Sequence, residues 1–155
     1  MTTWNDFTLA APDFASAVTA RFEAHLHHVV ATLRADGAPR VSGTEARFFD
    51  GNLYLGSMPG SRKGADLRRD PRLALHAATV DVELTEGDAK VDGRGIEVDR
   101  AEAERFLRSL GNPDVLDGEV FAVSLDRVTL TRVDGDQLVV QTWRPGAEVT
   151  EIRRS

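Results

Sequence analysis

The chain has 155 residues, 41% of them apolar and 28% charged, which suits a single globular domain spanning 1-155 and excludes a fibrous or disordered chain. Its formal charge of -6 argues against a nucleic-acid partner, because phosphate backbones are gripped by basic faces. Without cysteine there is no disulfide, thiolate metal site or cysteine nucleophile, and the cytoplasm is the expected location; no basic-then-apolar leader or membrane-length run is present, so no membrane partner is expected.

Pro12 opens a segment in which Phe14, Val18, Phe22 and Leu26 recur at helical spacing, predicting an amphipathic helix over about 12-27. Val29 to Leu33 reads as a strand, Ala35-Asp36-Gly37-Ala38 as a turn, and Arg40 to Phe49 as the returning strand of a hairpin. Asp50-Gly51-Asn52 turns the chain into a third strand from Leu53 to about Gly56-Ser57. Met58-Pro59-Gly60 breaks that strand, Ser61 is placed as an N-cap, and Arg62 to Arg69 forms a short helix stopped by Asp70-Pro71. Leu73, Leu75 and Ala77 alternate with polar or small residues in a fourth strand, and Ala89 to Val98 makes a fifth after the acidic turn Glu83 to Asp88. Asp99 caps a helix over Arg100 to Leu110, ended by Gly111-Asn112-Pro113. Val120 to Val133, Gln137 to Trp143 and Glu148 to Ile152 complete the strands, separated by Asp134-Gly135-Asp136 and Arg144-Pro145-Gly146.

Strands joined by hairpin-length turns imply an antiparallel sheet, and closure into a barrel removes its edges. Neither G-x-G-x-x-G after a strand nor a Walker loop occurs, so the usual nucleotide folds drop out. G-x-S-x-G is absent too, leaving no support for hydrolysis, and no catalytic acid, base or nucleophile is assigned.

The informative segment is Gly60-Ser61-Arg62-Lys63-Gly64. It puts two cations at the end of a helix whose dipole is already positive. Two readings stand: a solvated basic turn balanced by Asp66, or an anion held by free amides, the Ser61 hydroxyl, the Arg62 fork and the Lys63 ammonium.

The run from Tyr54 to Arg72, with Ser-Arg-Lys opening the helix and Asp-Pro-Arg starting the next strand, resembles the pyridoxamine 5'-phosphate oxidase family; the likeness extends more loosely over about 28-98. The resemblance implies a mostly β fold, a six-stranded antiparallel split β-barrel with flanking helices. It also implies a homodimer with flavin mononucleotide (FMN) at the subunit interface, a small-molecule substrate, and flavin-dependent oxidoreductase chemistry. By position, Arg62, Lys63 and Ser61 would hold the phosphate, Gly56 and Ser57 would admit the cofactor, and Arg40, Val41 and Ser42 would line the isoalloxazine ring. Lys90 is either a contact to the partner's cofactor or a surface lysine. The Arg-x-His pair of the vitamin-processing members is replaced by Gln137-Leu138-Val139-Val140, which points away from pyridoxamine phosphate and toward flavin or deazaflavin reductases on the same barrel. A non-catalytic flavin or haem binder is the remaining alternative. For deazaflavin, Arg68, Arg69 and Arg72 are candidates for the anionic tail.

His25 and His28 are expected on one helical face, as surface or core-edge residues, and no metal site is assigned. His76 is read as a hydrogen-bonded core histidine, with an axial haem ligand as the alternative; Trp4, Trp143 and Tyr54 are read as packing residues.

Overall fold

Val30, Leu53, Leu55, Leu73, Leu75, Val91, Val123 and Leu125 alternate with outward residues along their strands, so each strand has one face that must be buried. In the computed structural model, which describes residues 1–111 and 117–155, those faces meet inside a closed barrel. The strands are β1 (His27–Leu33), β2 (Pro39–Phe49), β3 (Asn52–Ser57), β4 (Arg72–His76), β5 (Asp88–Glu97), β6 (Glu119–Asp134), β7 (Gln137–Trp143) and β8 (Thr150–Arg154). All pairings are antiparallel among these strands. The order β3-β2-β1-β4-β5-β6 closes on itself through β3–β6 pairing, giving the expected six-stranded barrel. β7 and β8 continue the sheet past β6, outside the ring.

Among the described residues four helices flank the barrel: α1 (Trp4–Ala10), α2 (Pro12–Glu23), α3 (Arg62–Arg69) and α4 (Arg100–Ser109). α1 was not expected, yet Thr3 and Asp6 form a reciprocal capping box at its start, and Trp4 and Phe7 enter the core. Trp143 packs on Phe7 at 4.6 Å between ring centroids, a packing role as expected. α4 lies outside the β3–β6 seam, where Tyr54, Phe106, Leu107, Val120 and Ala122 form a second cluster. Tyr54 stacks on Phe106 and donates to Glu102 at 2.7 Å; burial and that carboxylate push its pKa up to about 12.

Two expectations fail in the first third of the chain. The second helix stops at Glu23 and His27 and His28 belong to β1, paired with Glu45 and Thr44, because ladder bonds outweigh a weak helical tail. His25 and His28 therefore share no helical face. His28 is buried, its Nδ1 accepting the Ala78 N–H at 3.0 Å, and burial lowers its pKa. His76 is not a core residue either: its side chain is half-exposed, with Nδ1 against the Ala77 carbonyl and Nε2 3.5 Å from Asp88. Gly111 turns the chain after α4 with φ +73°, as a helix-terminating glycine does, while Asn112-Pro113 lie outside the described residues.

Candidate functional site

β3 ends where Met58-Pro59-Gly60 turns away, Gly60 taking φ +71°, a conformation that favours glycine. Ser61 then caps α3, its Oγ accepting the Gly64 N–H at 3.0 Å, so Arg62 and Lys63 are the first two helical residues. Lys63 reaches back to β2 and donates to the Gly43 carbonyl at 2.8 Å; burial pushes its pKa below the ordinary lysine value.

Asp66 does not turn toward Arg62 or Lys63. It is 2% exposed and points inward, accepting from Arg40 Nε at 2.6 Å, the Thr32 hydroxyl at 2.8 Å and Arg69 at 2.9 Å. Burial alone would raise its pKa, but the two guanidinium bonds and the hydroxyl outweigh it and hold the carboxyl at about 2. The basic turn is therefore not balanced by Asp66, which clamps β1, β2 and α3 together.

Arg62 is exposed on the wall of a cavity of about 380 Å³ that it shares with Arg34, Arg40, Val41, Ser42, Ser57, Met58, Ser61 and Lys63. A second cavity of about 510 Å³ meets it at Ser57, Met58 and Lys63. Gly43, Thr44, Glu45 and Gly56 line it from β2 and β3, Leu107 and Leu110 from the α4 end, with His27 and Asp117 also on its wall. Both volumes fall in the range of roughly 300–1,000 Å³ typical of small-molecule sites. At Gly43 and Gly56 an added Cβ would meet nothing within 4 Å, so the glycines leave open space where a planar ligand can approach the backbone.

Eight of the expected site residues thus converge: Arg40, Val41, Ser42, Gly56, Ser57, Ser61, Arg62 and Lys63. Lys90 is placed elsewhere, on the outer face of β5 beside His76, with Nζ 3.0 Å from Asp88. Ser61 is already engaged, receiving the Ser57 hydroxyl at 2.5 Å and donating to Glu119 at 3.2 Å. Arg68, Arg69 and Arg72 are held by carboxylates, respectively Glu97 and Glu119, Asp66, and Asp70.

Sequence reading missed Arg34, His27, Glu45 and Glu119. Arg34 carries a local signal, since it precedes a four-residue turn and faces Ala38 across the hairpin. Glu119 carries none, being 58 residues from Ser61.

The family model described as pyridoxamine 5'-phosphate oxidase matches residues 14–132. No curated protein matches the sequence. Among solved structures, the chain is similar to PhzG from Burkholderia lata 383, in complex with tetrahydrophenazine-1-carboxylic acid, with TM-score 0.67 and 12% identity over 96% of this chain and 91% of that one. It is similar to an F420 reductase with TM-score 0.54 and 18% identity, over 66% of this chain and 88% of that one. It is also similar to a heme binding protein from Mycobacterium smegmatis, with TM-score 0.57 and 22% identity, over 83% of this chain and 57% of that one. At these identities the structural likeness speaks for the barrel alone, and the proteins sharing it differ in what they bind. With the family model covering most of the sequence, the chain belongs to the pyridoxamine 5'-phosphate oxidase family.

Proposed function

We propose that this chain is an FMN-dependent oxidoreductase acting on a small molecule in the cytoplasm, as a homodimer with the cofactor at the subunit interface. The observation that carries the reading is the cavity wall on which Arg34, Arg40, Arg62 and Lys63 gather beside a glycine-floored hollow. The cations suit a phosphate and the hollow suits a flat ring. Arg62 and Lys63 would grip the phosphate, Arg40 would stand behind it on the Asp66 clamp, and Val41, Ser42, Gly43 and Gly56 would border the ring. When bound, a flavin supplies the hydride and electron chemistry itself. The protein orients it, and Leu107 and Leu110 give the cavity an apolar side.

An exposed apolar stripe supports the dimer. Val41, 71% exposed, lies opposite Ala31, which lies opposite Ala74; Val29, 46% exposed, runs beside them. A second copy seated there would cover the stripe, and Lys90, one strand from His76 on the same face, would approach the partner's cofactor.

FMN is favoured over deazaflavin because Arg68, Arg69 and Arg72 are committed to carboxylates rather than directed at a long anionic tail. The haem-binding reading keeps one observation: His27, unlike His76, lines the larger cavity. Titrating the purified protein separately with FMN and haem, followed by absorption, tests the reading. FMN is expected to bind and to bleach with a hydride donor, whereas a haem band with no flavin binding would overturn the proposal.

A Gly56→Val variant is expected to lose roughly tenfold or more in FMN affinity, because its branched side chain stands in the hollow. Its thermal midpoint is expected to hold, since valine suits a strand and nothing occupies the space within 4 Å. Calorimetry and a flavin-fluorescence titration check the two halves.

A further inference from the structure

The amino-terminal pole of α3 already holds an anion, and that anion is part of the chain. Glu119 opens β6 directly opposite Ser57 of β3. Its Oε1 accepts the Gly60 N–H at 3.0 Å and lies 2.9 Å from Arg68; its Oε2 accepts the Ser61 hydroxyl at 3.2 Å. The side chain is 11% exposed and rests on Gly64, where an added Cβ would come within 2.1 Å of Oε2. Gly64 is therefore the close-approach glycine of this corner: it makes room for the Glu119 carboxylate.

Two anions cannot share one amide and one hydroxyl, and at such separations their repulsion in a half-buried corner is a matter of kilocalories. We infer that Glu119 is a specificity-determining residue, a resident competitor that bars phosphate from the Gly60 amide and Ser61 hydroxyl and confines it to the side-chain cations Arg34, Arg62 and Lys63. Phosphate-bearing ligands are consequently held less tightly than the cluster of cations would allow, while ligands without phosphate are indifferent to Glu119. The inference rests on the flavin reading in that both place the phosphate beside α3.

The test compares the wild type with Glu119→Gln, which keeps the shape and removes the charge, and with Glu119→Ala, which also empties the corner; Arg68 retains Glu97 in both. The ligands are inorganic phosphate, FMN and riboflavin, followed by calorimetry and by the backbone amide resonance of Gly60. Both variants are expected to bind inorganic phosphate and FMN about tenfold more tightly, with riboflavin affinity unchanged and the Gly60 resonance responding to phosphate only in the variants. Unchanged or weakened phosphate affinity in both variants would overturn the inference and leave Glu119 a clamp for Arg68 and Ser61. If FMN binds none of the three proteins, the flavin reading falls on its own, and the inorganic phosphate arm still decides the role of Glu119.

Discussion

Replacing Arg62 and Lys63 together by alanine is expected to cut FMN affinity about a hundredfold or more while leaving the barrel folded. Each side chain would contribute charge-assisted hydrogen bonds worth roughly 1.5–3 kcal/mol, and two such losses amount to at least two factors of ten in affinity. The fold should tolerate the change because Arg62 is exposed and the Lys63 side chain adds only one bond, to the Gly43 carbonyl, to the packing of α3 on β2. Equilibrium titration of both proteins with FMN, alongside their urea denaturation curves, separates the two effects. A variant that binds FMN like the wild type would remove both residues from the site.

Asp66→Ala is expected to cost about 3–5 kcal/mol of stability, because it leaves Arg40 without its carboxylate in a largely buried position. Arg69 and Thr32 lose a partner at the same stroke. The same clamp sets an acid limit in the wild type. The folded-state pKa of Asp66 is depressed from 3.8 to about 2, so its contribution is fully present above pH 3.8 and is lost as the pH falls toward 2. Urea denaturation at neutral pH and again down that acid range should show the wild type converging on the variant. A loss below about 1 kcal/mol, the scale of an exposed pair, would show that the clamp is solvated and dispensable.

These two predictions draw on different depths of the sequence. The strands were legible because Leu53, Leu73, Leu75 and Val91 alternate with outward residues and because Asp50-Gly51 and Asp134-Gly135 mark their turns. The Ser61-Arg62-Lys63 corner was legible because its charge opposes its own helix dipole, a local conflict visible without coordinates. The role of Asp66 was not legible, since its neighbours at i-3 and i-4 are the obvious partners on a helix, whereas its actual partners include Thr32 and Arg40 on strands 34 and 26 residues away. Glu119 was invisible for the same reason. The boundary between α2 and β1 was misplaced because Leu26 continues the helical spacing, and only the pairing of His27 and His28 with β2 shows where the strand begins. α1 had a readable start in Thr3 and Asp6 but was too short for periodicity to register.

The central claim is that this corner of the barrel is built to hold a flavin by its phosphate. The most direct measurement is the affinity of the wild-type protein for FMN set against riboflavin, which differ only in that group. The account predicts FMN to bind about a hundredfold or more tightly, the difference that the Arg62 and Lys63 contacts supply. Equal affinities, or binding of neither, would contradict it.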